Sequence, residues 1–223
     1  MEVGIVIPAY NAESNIKNVL LKIFKYVEPD NVFVIDDGSE DRTSDIADEL
    51  HVKCIRHNTN LGKGEALKTG FSAADKTGMD AVITIDSDGQ HDPDEIPEFI
   101  RIMEHNNSDI VLGTRSFGLS NMPIDRILSN RLSSLVVSLV CGKWIPDSQC
   151  GYRMIRLKSL DALSLTSSNF ELESELLIKA ARQKRNISFC PVPVIYNGTG
   201  SKINRLKDTK RFCKMIFGII GKR

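Results

Sequence analysis

Over the first half of the chain, hydrophobic and polar positions alternate between two patterns. Short β-branched runs (VGIVI, NVFVID, VKCIRH, AVITID, DIVLGT) recur between polar turns, each with the unbroken apolar character of a strand covered on both faces. Between them apolar residues return every three or four positions, which predicts helices over 13–27, 43–50, 64–76 and 94–105. The last three begin near residues able to cap a helix. Strand and helix therefore alternate as far as Arg115, and this order predicts an α/β fold on a mostly parallel, Rossmann-like central sheet with helices on both faces. Beyond Arg115 the alternation stops. A helix over 125–141 ended by Gly142, the loop WIPDSQCGYR, a helix over 170–183, a strand within ISFCPVPVIY and a basic terminal segment follow.

A chain of 223 residues, 41% hydrophobic, suits one compact domain, here expected over 1–205, with 206–223 as an appended helix. Lys plus Arg and Asp plus Glu each number 29, so bulk charge argues against a nucleic-acid partner. The five cysteines form no CxxC pair, which disfavours a zinc knuckle and suits a reducing compartment. The opening MEVGIVIPAY carries no basic leader, and no apolar run reaches the roughly 18 residues of a membrane span. A cytoplasmic protein is expected.

The polar residues cluster where the strands end: PAYN after the first, DDGS after the second, DSDGQHD after the fourth. In open α/β sheets ligands bind outside the carboxyl ends of the strands, so these clusters mark one site. Asp86 and Asp88 are two apart, and in extended geometry both carboxylates point the same way. Unscreened they repel, and a hard cation such as Mg2+ or Mn2+ resolves this, typically taking one or two carboxylates and substrate phosphates. Gln90 offers a further oxygen to the same turn. Asp36 and Asp37 end the second run, where an acid either accepts hydrogen bonds from a base or ribose or shapes the turn. Gly62, Lys63 and Gly64 begin a helix whose N–H groups and Lys suit a phosphate. The Walker spacing is absent, so ATP hydrolysis is not indicated.

IVIPAYNAE, VIDDGSEDRT, NLGKGEALKTGF, DSDGQHDPDEI and GTR, in this order, resemble the family 2 glycosyltransferases, and DSQCGYR is similar to the dolichol-phosphate mannose synthase and polyprenyl-phosphate glycosyltransferase group. The resemblance implies a glycosyltransferase A fold, a nucleotide-diphosphate sugar donor of the GDP-mannose or UDP-glucose type, a divalent metal and inversion at the anomeric carbon. By position it implies that Pro8, Tyr10, Glu13 and Asp37 line the nucleoside pocket, that Asp86 and Asp88 hold ribose and metal, and that Gln90 joins the metal shell.

A hydroxyl acceptor needs a carboxylate base, whereas a phosphate acceptor, already an anion, needs cations. Asp147 lacks the preceding Glu of the ED motif found in many saccharide-acceptor relatives, and QCGYR stands where processive members carry QxxRW. These departures favour one transfer to a polyprenyl phosphate. Extension of a saccharide with Asp147 as base is the alternative, and a non-catalytic nucleotide-sugar-binding module a further one. Candidate cations and polar partners are Arg115, Arg131, Gln149, Arg153 and Lys202, the last beside Ser201 at a position matching the family.

A lipid acceptor requires a membrane surface. From Lys202 to Arg223 the net charge is +7, and Phe212, Met215, Ile216, Ile219 and Ile220 recur at helical spacing, the composition of a peripheral anchor on the cytosolic face. Leu128, Leu132, Leu135, Val136 and Leu139 form a second stripe beside Arg131. For both stripes, packing into the core is the alternative.

Overall fold

The computed structural model describes residues 1–115, 124–193, 195 and 205–221. The strands are β1 (Val3–Ala9), β2 (Val32–Asp36), β3 (Lys53–Arg56), β4 (Ala81–Thr84), β5 (Ile110–Arg115), β6 (Arg153–Arg156) and β7 (Ile187–Val192). The helices are α1 (Ile16–Ile23), α2 (Thr43–Glu49), α3 (Lys63–Lys76), α4 (Ile96–His105), α5 (Ile124–Cys141), α6 (Glu171–Arg182) and α7 (Arg205–Ile220). Among the described residues the strands form one sheet in the order β3-β2-β1-β4-β6-β5-β7. Every pairing is parallel except the two made by β6. This is the mixed α/β architecture expected from the alternating runs.

The apolar runs fill the centre of the sheet. Ile5, Val6 and Ile7 of β1, Val34 and Ile35 of β2 and Val82 and Ile83 of β4 have no exposed surface, as strands covered on both faces require. β3 departs from its expected burial because it is an edge strand, paired only with β2: Cys54 and Ile55 are half-buried between exposed Lys53 and Arg56. β6 is the element the sequence pattern does not announce. Its four residues, RMIR, are too short and too charged to read as a strand, yet they lie between β4 and β5.

Two features of the sheet prepare the site. β1 pairs with β2 as far as Ala9 and Asp36, but with β4 only as far as Val6 and Thr84. Past that point the strands part, and Pro8, having no N–H, occupies the length of β1 without a β4 partner. Chain order also reverses between β1 and β4, so the loops after them flank a switch-point crevice. α4 is entered through a 3-10 turn at Pro93–Glu95, where the Asp92 carboxylate accepts from the Asp94 N–H at 3.2 Å. α5 ends at Gly142, whose φ of +64° suits its lack of a side chain, as its position in the sequence predicts.

The segment before α6 is held by one buried acid. Glu175 accepts from the N–H groups of Thr166 at 3.0 Å and Ser167 at 2.7 Å, and from Lys179 at 2.5 Å. Burial alone would raise its carboxyl, but Lys179 and the Ser167 and Thr166 N–H groups outweigh burial and lower it from about 4.5 to about 2. A carboxyl depressed on folding stabilises above its unfolded pKa, and that contribution is lost as pH falls through the folded value. Glu175→Gln is therefore expected to cost on the order of 3 kcal/mol near neutral pH, with the difference from wild type narrowing from about pH 5 towards about pH 2. Urea unfolding across that range reads it; a constant difference would remove Glu175 as the source.

Candidate active site

β4 stops at Thr84, so Asp86 and Asp88 stand in the turn beyond it rather than on the strand. The two carboxylates have different surroundings. Lys63, the first residue of α3, places Nζ 2.6 Å from Asp86 Oδ1 and 3.0 Å from Glu173 Oε1 on α6. His91 Nε2 lies 3.6 Å from Asp86 Oδ2, and the His91 ring packs on Tyr152 with centroids 5.1 Å apart. Burial would raise Asp86, but Lys63 and His91 hold its carboxyl well below the usual range. Asp88 goes the other way: burial and the charge of Asp86 push it up, against one hydrogen bond at 3.0 Å from the Gln90 N–H. Among the described residues no Lys, Arg or His pairs with Asp88.

This donor set fits a hard divalent cation that takes most of its ligands from a substrate. Among the described residues no group of three or more His, Cys, Asp or Glu forms a closed metal cage. Asp88, kept electrostatically unfavourable by its neighbour, is the carboxylate a cation would relieve, with Asp86 and Gln90 the other oxygens of the turn.

The loop before β6 sets the position of Asp86. A Cβ on Gly151 would lie 2.8 Å from Asp86 Cγ and collide with its Oδ2, while Lys63 and His91 hold the carboxylate from other sides. Gly151→Ala must therefore displace Asp86 by a large fraction of an ångström. Misplacement of that size near the chemistry can cost about 100-fold in rate, and this is the fall expected in kcat/KM with little change in melting temperature. Wild-type kinetics in Gly151→Ala would show that Asp86 tolerates the shift.

On the β1 and β2 side, two loops interlock. The Asn11 N–H donates to Ser39 Oγ at 2.9 Å, the Ala12 N–H to Thr43 Oγ1 at 2.8 Å and the Glu13 N–H to Asp41 Oδ2 at 3.0 Å, while the Glu13 carboxylate accepts from the Arg42 N–H at 3.2 Å. Tyr10 is half-buried at the end of β1 and Glu13 is exposed, both beside the crevice. Pro8 is not at its surface but buried within β1. Asp36 is also corrected. It has no exposed surface and accepts from the Ser39 N–H and the Ser44 hydroxyl with Arg56 alongside, so it shapes the turn. Asp37 is only 3% exposed and accepts from the N–H groups of Leu61 at 2.9 Å and Gly62 at 2.8 Å, with His57 Nδ1 at 2.8 Å. It builds the loop that delivers Lys63.

The phosphate cradle expected at the start of α3 is closed. The Glu65 N–H donates to the Ser168 carbonyl at 3.1 Å, and Ser168 and Asn169 lie against Gly62 and Gly64 so closely that a Cβ on Gly64 would sit 2.6 Å from the Ser168 carbonyl carbon. Lys63 reaches the site through its side chain alone.

Past β5, the two residues expected to oppose each other are partners. Arg115 Nε donates to Asp147 Oδ2 at 2.7 Å and Nη2 to Oδ1 at 2.9 Å. The Asp147 side chain is 1% exposed and that of Arg115 15%. Arg153 is corrected from a loop cation to a residue buried in β6, its guanidinium donating to the carbonyls of Glu173 and Cys150. Gln149 is half-buried in the loop before β6, and Arg131 stands on the exposed side of α5. Ser201 and Lys202 lie outside the described residues.

The two apolar stripes, each expected either at a membrane surface or in the core, divide between packing and exposure. Ile216 and Ile219 of α7 are buried and Phe212 and Met215 pack partly against the core, leaving Phe217 and Ile220 outward. The α5 leucines face solvent instead. Glu173, His91 and Gly151 are the site residues the sequence reading missed. His91 lies within the quoted DSDGQHD and Gly151 within QCGYR, so both were visible as types; Glu173 is remote from Lys63 in sequence and only the packing of α6 brings them together.

Three comparisons bear on this geometry. Over 214 residues the chain is 35% identical to the UDP-N-acetylglucosamine–dolichyl-phosphate N-acetylglucosaminyltransferase of Methanococcus voltae, covering 86% of this chain and 85% of that one. It is 31% identical over 195 residues to the dolichol-phosphate mannosyltransferase of Pyrococcus furiosus, covering 82% of this chain and 54% of that one. Glucosyl-3-phosphoglycerate synthase of Mycobacterium tuberculosis, solved with Mn2+, uridine diphosphate and glucosyl-3-phosphoglycerate, shares the fold with a TM-score of 0.77 at 20% identity, over 97% of this chain and 79% of that one. Residues 4–164 match Glycosyl transferase family 2, and the chain belongs to that family of enzymes.

Proposed function

We propose that the protein transfers one glycosyl group from a nucleoside-diphosphate sugar to a polyprenyl phosphate, with inversion. The observation that carries this reading is the Arg115–Asp147 pair. Both Asp147 oxygens are engaged by one guanidinium in a buried setting, which disfavours Asp147 as the base that a hydroxyl acceptor needs. A phosphate acceptor has no proton to lose: its oxygen forms the bond to the anomeric carbon as the bond to the donor diphosphate breaks. Arg115, oriented by Asp147 and partly exposed, is placed to attract such an anion. The names of the relatives from Methanococcus voltae and Pyrococcus furiosus, both of which specify dolichyl phosphate chemistry, support the same acceptor class.

On the donor side, Tyr10 and Glu13 border the nucleoside end of the crevice, Lys63 fixes Asp86, and Asp88 with Asp86 and Gln90 would hold Mg2+ or Mn2+. That ion supplies positive charge where the leaving diphosphate gains negative charge.

The test is incubation of the protein with radiolabelled UDP-N-acetylglucosamine, GDP-mannose or UDP-glucose, Mn2+ and a polyprenyl phosphate, followed by solvent extraction. Label in the lipid phase with release of the nucleoside diphosphate is expected for one donor. Label passing only to an added saccharide would make Asp147-dependent glycan extension the better reading.

A further inference from the structure

Lys63 is held from three sides. Its Nζ lies 2.6 Å from Asp86 Oδ1 and 3.0 Å from Glu173 Oε1, and it stands 5.7 Å from the centre of the Phe170 ring. The side chain is 14% exposed, so this is a caged ammonium rather than a surface charge. Burial alone would lower its pKa, but Asp86 and Glu173 outweigh burial and raise it above the usual lysine range, which keeps the charge in place. The two carboxylates that share it differ. Asp86 is open, with 27% of its side chain exposed in the turn after β4. Glu173 is 7% exposed and anchored: Arg153, buried in β6, donates from Nη1 to the Glu173 carbonyl at 3.0 Å and brings Nη2 within 3.9 Å of Oε1. Among the described residues no three His, Cys, Asp or Glu side chains gather as a metal group, so Glu173 does not stand with Asp86 and Asp88 as a cation ligand.

We propose that Glu173 is a positioning residue: it shares the Lys63 ammonium from the α6 side and thereby loosens the grip of Lys63 on Asp86, so that Asp86 can accept a divalent cation. This rests on the cation role given above to Asp86, Asp88 and Gln90. In the metal-free fold the ammonium is the resident counter-ion of Asp86, and an arriving cation competes with it for the same carboxylate. An ammonium with Asp86 as its sole partner would hold that carboxylate tightly, and on displacement it would be left buried and unpaired. Glu173 removes both obstacles, because Nζ already touches it and keeps a charge-assisted partner once Asp86 turns to the cation. Both ends of the contact are fixed from elsewhere. Asp37 holds the loop before Lys63 through the Leu61 and Gly62 N–H groups, and Glu173 stands in the first turn of α6.

The experiment is titration of the protein with Mn2+ alone, without nucleotide or acceptor, followed through the EPR signal of the free ion. Glu173→Gln is expected to bind Mn2+ about tenfold more weakly than wild type, since Lys63 then falls to Asp86 alone, and Lys63→Met about tenfold more tightly. Glu173→Asp keeps the charge but stops one methylene short of Nζ, and should weaken binding as Glu173→Gln does. In the Lys63→Met background Glu173→Gln should lose most of its effect, because a residue that acts through Lys63 has nothing left to act on. An ion pair that only ties α6 to α3 would move the melting temperature and leave these affinities alone. Wild-type affinity in folded Glu173→Gln and Glu173→Asp would overturn the inference, as would weaker binding in Lys63→Met. So would equal weakening by Glu173→Gln with and without Lys63, which would mean that Glu173 acts on the cation directly by its charge. If Lys63→Met failed to fold, Glu173→Asp against wild type still decides, weaker binding supporting the inference and equal binding overturning it. Mn2+ bound by neither wild type nor any variant would remove the cation role together with the inference, whereas equal binding by all removes the inference alone. The acceptor takes no part in the measurement, so failure of transfer to a polyprenyl phosphate leaves it untouched.

Discussion

Asp88→Ala is expected to lower turnover by about 1,000-fold or more at saturating donor while leaving the melting temperature unchanged or higher. A cation at a developing diphosphate contributes several kcal/mol to the transition state, and each 1.4 kcal/mol is about tenfold in rate. Asp88 is the carboxylate best placed to recruit that cation, since the Asp86 carboxylate is already engaged by Lys63. The stability half of the expectation has a separate cause. Burial and the neighbouring Asp86 charge raise the Asp88 pKa, so its ionised form is an unfavourable feature of the unliganded fold, and removing it relieves repulsion. Initial rates with and without EDTA, together with thermal unfolding, test both halves. Near wild-type turnover in the variant would end the metal assignment, and a large loss of stability would mean that Asp88 is structural.

The second large effect is a separation of stability from transfer at the Arg115–Asp147 pair. Arg115→Ala leaves a buried carboxylate without its partner, which is expected to cost about 3–5 kcal/mol of stability. It should also cut kcat/KM for the acceptor by about 100-fold, because a charge-assisted bond to the incoming phosphate is lost. Asp147→Asn keeps the shape but loosens the grip on Arg115, and an intermediate fall of about tenfold with an unchanged pH profile is expected. The double variant Arg115→Ala/Asp147→Asn is the informative one: with no unpaired charge left, stability should return towards wild type while transfer stays low. If Asp147→Asn is inactive at every pH and Arg115→Ala transfers normally, Asp147 is a general base and the acceptor is a hydroxyl.

The parallel half of the fold was legible because both faces of β1, β2 and β4 are covered, which leaves unbroken apolar runs, and because the intervening helices keep their period. β6 was illegible for the opposite reason. Arg153 and Arg156 bound a run of two apolar residues, and only packing shows that Nη1 and Nη2 of the Arg153 guanidinium donate to carbonyls of α6 and of the loop. The site clusters could be located from strand ends, but not the direction each carboxylate faces. Asp36 and Asp37 look alike in sequence to ligand-binding acids, yet the Ser39 N–H of its own turn engages Asp36, and the Leu61 and Gly62 N–H groups of the loop before α3 engage Asp37. Periodicity found the stripes of α5 and α7 equally well. Both helices lie against α6, so which stripe packs and which faces outward is set by how each helix is rotated in the fold, and that is tertiary information.

The loop from Asp147 to Gly151 has a consequence for how this enzyme can change over evolutionary time. Its first residue fixes the cation expected to meet the acceptor, and its last leaves the room that Asp86 occupies on the donor side. A one-residue insertion or deletion here would alter both halves of the site at once. Donor and acceptor preference should therefore not drift independently through this loop. New sugar specificity would be more readily acquired in the loops after β1 and β2, which in the proposed reading border the donor alone and are held to each other by their own hydrogen bonds.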